Sequence, residues 1–267
     1  MTSQVIGISL IKNEDIFINQ AIKNIVEFCD KVIILNNLST DNTWREIEKL
    51  QSKFSNIEAH QLMDYRLSHN YIAGYAGTKT WVFGVDGDEI YDPARLKIFR
   101  NQILAGEFDN YWAIFGNVVN CTNIDWKNNK AEGYLSPPSR SMTKLYNFSA
   151  LEMWESNCQR LHGGNKIFRQ DYNEILRYSL NSEISWKKSP FRCLHLCFVQ
   201  RSSIEKNSNY NRLNINERPR WLIQLDKMGF GWFIDAVIQY FPSQWKNNKY
   251  RSGDIVKVDI SPFFTKN

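Results

Sequence analysis

Apolar residues follow two alternating rhythms along the first ninety positions. Residues 5–11 (VIGISLI) form a short, β-branched apolar run, the mark of a strand buried on both faces. Ile18, Ala21, Ile22, Ile25, Val26 and Cys29 then recur at spacings of three and four, which makes one apolar stripe on a helix. Residues 31–35 (KVIIL) predict a second buried strand. Trp44, Ile47, Leu50 and Phe54 predict a second helix, and residues 57–60 a short third strand. Residues 67–77 read as a weaker helix, followed by the strand-like run Thr80–Val85 (TWVFGV). Strand and helix in alternation imply a parallel sheet with right-handed crossovers.

Beyond Pro93 the pattern changes. Residues 94–104 predict a helix and residues 111–121 a long strand. Residues 125–140 are polar and loop-like, stopped by Pro137-Pro138. Residues 143–148 predict a strand, 151–168 an irregular stretch, 192–200 a strand, and 219–241 one or two helices. No internal repeat and no low-complexity linker marks a domain boundary.

Composition narrows the class. A chain of 267 residues with 43% hydrophobic and 23% charged residues suits a globular domain with a real core. Net charge is +5, and the excess lies in residues 201–267, which hold 11 Lys and Arg against 6 Asp and Glu. That asymmetry fits either a solvated basic tail or an anionic partner near the C-terminus. Five cysteines do not form a disulfide framework, and no signal peptide or membrane-length apolar run is visible, so the cytosol is the expected compartment. Neither G-x-G-x-x-G nor G-x-x-x-x-G-K-[ST] follows the first strand, which argues against dinucleotide and P-loop sites. Modest charge and absent motifs argue against nucleic-acid binding.

Candidate chemistry gathers at strand ends. Asp86-Gly87-Asp88-Glu89 follows Thr80–Val85 and leaves the sheet at its carboxyl edge, where open α/β sheets bind ligands. Clustered carboxylates are costly unless a cation joins them, and a hard ion such as Mg²⁺ or Mn²⁺ shared with a diphosphate is the simplest partner. Gly87 leaves room for a bulky polyanion. Lys12-Asn13-Glu14-Asp15 ends the first strand, with Asn13 placed to cap the next helix. Asn36-Asn37-Leu38-Ser39-Thr40-Asp41-Asn42-Thr43 ends the second and is likewise rich in capping residues.

Taken together, these three motifs resemble glycosyltransferases of the GT-A fold, in the manner of family 2. There, a K/R-N-E follows strand one, a D-x-x-S-x-D-x-T follows strand two, and a D-x-D-E ends a later strand. The resemblance covers residues 5–92. It implies an α/β, Rossmann-like three-layer sandwich with a mostly parallel central sheet and a C-terminal helical extension. Residues 1–200 would be the catalytic domain, with a nucleotide-binding half (1–92) and an acceptor half (93–200). Residues 201–267 would be a mostly helical extension packed on it.

The same resemblance implies the site. Lys12, Asn13 and Glu14 border the nucleoside, Asn36 lies near the base, and Asp41 shapes the turn. Asp86 approaches the ribose or the metal, and Asp88 ligates a Mn²⁺ or Mg²⁺ that bridges the diphosphate of a nucleotide sugar. Asn36 stands where the family usually has Asp, and its amide both donates and accepts, which changes the preference for the base. Arg66 is a bidentate phosphate ligand or a surface ion pair. In the second half, Glu155 and then Glu152 are the candidates for the carboxylate base, placed near a helix start, with Trp154 offering a sugar-stacking face. His162, beside Gly163-Gly164 and Arg160, marks a backbone approach to a ligand. Cys193, His195 and Cys197 are too widely spread on one strand to share a zinc ion, but His195 alone could serve the metal or diphosphate.

The large apolar residues between Trp221 and Tyr240, with Lys246, Lys249 and Arg251 after them, suit packing on the main domain, a dimer interface or peripheral contact with an acidic membrane. The reading that results is a metal-dependent, inverting glycosyltransferase using a nucleotide-diphosphate sugar and a glycan or other hydroxyl acceptor, as in polysaccharide biosynthesis. Its rivals are a sugar nucleotidyltransferase and a catalytically idle binding protein on the same scaffold.

Overall fold

The computed structural model describes residues 3–139, 143–157, 159–204 and 249–264. The expected alternation holds. β1 (Gln4–Ile11), α1 (Ile18–Ile25), β2 (Lys31–Asn36), α2 (Thr43–Lys53), β3 (Ile57–Gln61) and β4 (Thr80–Val85) follow one another. β1 pairs in parallel with both β2 and β4, and β2 pairs in parallel with β3. The weak helix at 67–77 is instead a 3-10 turn, Tyr65–His69, running into the four-residue α3 (Asn70–Ala73).

These strands are apolar on both faces because both faces are covered. Val5, Val32, Ile34, Trp81 and Phe83 pack against α1 and α2. They also meet α4 (Pro93–Leu104), which follows the short strand β5 (Glu89–Tyr91). Ile6, Ile8, Ile33 and Val82 face the other way, onto Ile72 of α3 and a cluster of Trp112, Phe148 and Trp154.

Past α4 the pairing becomes mixed, with antiparallel and parallel neighbours. β6 (Ala113–Asp125) is its backbone, pairing with β7 (Lys130–Ser136) and β8 (Thr143–Asn147), and β8 closes onto β4. The polar stretch 125–140 thus contains a strand rather than a loop only. Its residues alternate between burial and exposure, with Ala131 inside, so few apolar residues signal it. Residues 151–168 are likewise more regular than their sequence suggests, forming a hairpin of β9 (Leu151–Glu155) and β10 (Asn165–Phe168). β11 (Arg177–Ser179), the short helix α5 (Leu180–Glu183) and β12 (Arg192–His195) complete the middle of the chain. β12 runs parallel to β6 and antiparallel to β5, which sets His195 opposite Glu89.

Of the expected helical extension, residues 205–248 lie outside the described residues. Residues 249–264 include β13 (Ile255–Asp259), which joins the edge of the main sheet on β7. Val258, Ile260 and Phe263 then pack into a third core with Phe17, Leu194 and Trp186.

Candidate functional site

The loops after β1 and β2 are stitched together. Asn13 does not cap α1: that helix starts at Ile18 without a side-chain cap. Asn13 instead adopts a positive φ of 54°, which Asn tolerates better than most residues. Its side-chain oxygen accepts from the Thr40 amide at 2.7 Å, and its own amide donates to Ser39 Oγ at 2.9 Å. The Glu14 amide donates to Thr43 Oγ1 at 2.8 Å. Helix capping therefore does not explain Lys12–Asp15; loop-to-loop bonding does.

Asn36 is fully buried at the end of β2, and its amide is engaged on both sides. Nδ2 donates to Gln61 Oε1 at 2.6 Å, and Oδ1 accepts from Ser39 Oγ at 2.5 Å. Asp41 accepts from the Thr43 amide at 2.9 Å and from Ser202 Oγ. Burial raises the Asp41 carboxyl, but the hydrogen bonds from Ser202 and Thr43 outweigh it and leave the group below its ordinary value.

At the end of β4 each aspartate meets an arginine. Arg160 donates from one terminal nitrogen to the Val85 carbonyl at 2.9 Å and from the other to Asp86. Arg201 pairs with Asp88 and lies 3.5 Å from Glu14. His195 Nδ1 contacts Asn120 Oδ1 at 2.8 Å, and its Nε2 stands 3.8 Å from Asp88. Asp86, Asp88, Glu14 and His195 thus share one edge of the sheet, together with two guanidinium groups.

The electrostatics follow from that crowding. Glu89 is pushed up to about 8, first by burial and then by Asp86 and Asp88. For Asp86, burial around the stem of the side chain is opposed by Arg160, and the result falls below the ordinary carboxylate value. Its carboxylate nevertheless reaches solvent, with the side chain 45% exposed. His162 is lowered to about 4, by burial and then by Arg160 and Lys144. The residue is nevertheless exposed at the surface.

Gly87 has a different use from the one its sequence suggested. A Cβ there would collide with the Glu14 carboxylate, so the space is taken by the β1 loop rather than left open. Gly84, one turn earlier, lies under Leu161, whose Cδ1 would be 2.8 Å from an added Cβ.

The remaining expected residues lie elsewhere. Arg66 is at the surface, clasped by Asp64 through Nε at 2.8 Å and a terminal nitrogen at 2.5 Å. Glu152 and Glu155 are exposed on β9, so neither stands near a helix start. Glu155 borders a shallow groove with His69, Asn70, Asn157 and Asn165. Trp154 cannot offer a stacking face: it is 1% exposed, and its indole N–H donates to the Gly163 carbonyl at 3.0 Å. Among the described residues no group of three or more His, Cys, Asp or Glu is arranged to hold a metal ion.

Two arginines meet these aspartates: Arg160, which the sequence places only beside the Gly163-Gly164 pair, and Arg201, which it does not point to. Arg160 takes a positive φ of 41°, and its amide is held by Ser68 Oγ at 2.8 Å. Only the neighbouring Gly163-Gly164 pair hinted at that loop. Arg201, beyond β12, carries no local signal at all.

This architecture is the GT-A type: parallel strands carrying a loop-built site at their carboxyl edge, continued by a mixed half. The family model for glycosyl transferase family 2 matches residues 8–177, and the chain belongs to that family. No curated protein sequence matches it.

Among solved structures, the chain is similar to S. aureus TarS 1–349 in complex with UDP, at 17% identity and a TM-score of 0.40. The match covers 72% of this chain and 57% of that one, so the chain spans little over half of TarS 1–349. It is also similar to the mannosyltransferase PcManGT from Pyrobaculum calidifontis, in complex with GDP-Man and Mn²⁺, at 17% identity and a TM-score of 0.33, covering 46% of this chain and 36% of that one. A third is 4-diphosphocytidyl-2C-methyl-D-erythritol synthase from Anaerococcus prevotii, at 12% identity and a TM-score of 0.34, covering 55% and 70% respectively. Among the described residues no helix is long and apolar enough to cross a membrane.

Proposed function

We propose that this chain transfers a sugar from a nucleotide-diphosphate sugar to a hydroxyl group of a glycan or other acceptor, with inversion and with Mn²⁺ or Mg²⁺. The observation that carries the reading is that Asp88, just past β4, and Glu14, just past β1, converge on one guanidinium, Arg201, with Asp86 two residues away, in a family 2 chain. Lys12, Asn13, Glu14, Asn36 and Asp41 form the nucleoside side of the donor site. Asp86, Asp88 and His195 form its diphosphate side, where carboxylate oxygens and one imidazole suit a hard divalent ion. Such an ion supplies positive charge to the departing diphosphate. Arg160 and His162 flank that side, and Arg66 would join it only by leaving Asp64.

In the transfer, the bond between the anomeric carbon and the diphosphate oxygen breaks while the acceptor oxygen bonds to the same carbon from the opposite face. The acceptor proton goes to a carboxylate, for which Glu155 is the first candidate and Glu152 the second. The groove beside Glu155 supports that order.

Thermal melting with UDP, GDP and their sugar conjugates, each with and without Mn²⁺, tests the reading. Binding to the native state raises the melting temperature by mass action. A Mn²⁺-dependent rise with one nucleotide series, lost in Asp88→Ala, is expected. Absence of any rise across the panel rejects the donor site. Turnover should fall by about 100-fold or more in Asp88→Ala, as is typical when transition-state charge loses its stabiliser. A variant that keeps its turnover contradicts the role given to Asp88.

A further inference from the structure

Arg201 sits where a cation for Asp88 would sit. Asp88 is 1% exposed, and the Arg201 guanidinium bonds to its carboxylate while reaching Glu14 at 3.5 Å. Arg201 does not arrive alone. Residues 201–203 form a strap laid across the loops after β1 and β2. The Arg201 carbonyl accepts from the Ile16 amide at 3.1 Å. Ser202 Oγ donates to Asp41, and the Ser203 amide donates to Asp15 Oδ1 at 2.7 Å. These contacts fall on the loops assigned above to the donor site.

The charges explain why the strap closes. Glu14, Asp86 and Asp88 crowd one edge, and burying such groups without cations is costly. Arg160 answers Asp86, and Arg201 answers Asp88 and Glu14. A divalent ion on Asp88 would face the same carboxylate oxygens, and two cations cannot share them without repulsion.

We propose that Arg201 is a built-in counter-ion of Asp88 that sets the cation affinity of the donor site, and that the 201–203 strap lifts when a divalent ion takes its place. The inference rests on the donor-site reading above. It sets two guanidinium groups against three carboxylates at rest and couples ion loading to a movement of the strap. The observed affinity for the ion is then reduced by the fraction of molecules with the strap open.

The test uses Mn²⁺ alone as probe, with free Mn²⁺ read by electron paramagnetic resonance, on the full chain, on Arg201→Gln and on a Ser202→Ala/Ser203→Ala double variant. The expected result is Mn²⁺ binding about tenfold tighter in Arg201→Gln, and a smaller gain in the double variant, which keeps the arginine but loosens the strap. Adding Asp88→Asn to Arg201→Gln should abolish the gain. In the unaltered chain, hydrogen exchange at the Ile16 and Ser203 amides should be slow without Mn²⁺ and accelerate as Mn²⁺ saturates.

Equal or weaker Mn²⁺ binding in Arg201→Gln overturns the inference while leaving the metal site intact. Unchanged protection of both amides at saturating Mn²⁺ overturns the lifting of the strap. No Mn²⁺ binding in any of the three proteins rejects the metal site itself, and the inference with it. Should Arg201→Gln fail to fold, the double variant and the exchange measurement decide the matter unaided.

Discussion

Two kinds of arginine–aspartate pair stand on this sheet, and they differ in what surrounds them. Arg192 and Asp92 meet inside the protein, with side chains 10% and 3% exposed. Two guanidinium nitrogens share Asp92 Oδ2, at 2.7 and 3.2 Å, and the third donates to the Trp186 carbonyl at 3.0 Å. The rings of Trp186 and Phe263 each lie 5.4 Å from that guanidinium. Asp92 also caps α4 by accepting from the Arg95 amide at 3.1 Å, with Pro93 in the first turn. All three guanidinium nitrogens and both Asp92 oxygens bond to groups of the fold.

Arg160–Asp86 and Arg201–Asp88 are assembled from loops at the carboxyl edge instead. Asp86 keeps 45% of its side chain in solvent, and Asp88 has His195 3.8 Å away. The chemistry of the pairs is identical. Burial alone does not separate them, since Arg201 and Asp88 are 13% and 2% exposed; the carboxyl-edge pairs differ in standing beside further charged or titratable groups, His195 at Asp88 and Glu14 at Arg201.

Substitutions can break or sharpen this contrast. Arg192→Ala carries the largest expected effect on stability. It leaves Asp92 buried and uncompensated, and about 3–5 kcal/mol should be lost, read as a shift in the urea midpoint. A loss below 1 kcal/mol, as for an exposed pair, would erase the distinction drawn between the two sets.

Gly87→Ala is the intermediate case. Its Cβ must displace the Glu14 carboxylate, which should cost about 1–3 kcal/mol of stability. Because that carboxylate borders the donor site, nucleotide-induced melting shifts should shrink as well. An unchanged response would mean that Glu14 moves aside freely. Arg66→Ala is expected to do least. Its pair with Asp64 lies at the surface, where such pairs add little, so the urea midpoint should stay essentially unchanged. If nucleotide binding weakens tenfold in Arg66→Ala, then Arg66 leaves Asp64 to reach a phosphate, and the surface pair is also a site.

The legibility of the chain follows from range in sequence. β1, β2 and β4 were readable because parallel strands covered on both faces are largely apolar, as residues 5–11, 31–35 and 80–85 are, whereas edge strand β3 carries Glu58 and His60 and buries only Ile57. β7 and the β9–β10 hairpin were not readable. Each is solvated on one side, and Ala131, Leu151 and Trp154 are too few to set a period. The base candidates suffered from the same gap: Glu155 looked like part of a helix turn because the strand beneath it was invisible.

By itself, then, the sequence determined the order of elements through β4 and the three loop motifs at their ends, since both depend on neighbours within a few residues. Only the tertiary structure decided what those motifs do. It turned Asn13 from a helix cap into a bridge to Thr40, filled the space at Gly87 with Glu14, and brought Arg160 and Arg201 onto aspartates 74 and 113 positions away. No local pattern encodes those meetings. They are set by the register of β4 against β1 and of β12 against β5, and by the cost of crowding Glu14, Asp86 and Asp88 without a cation.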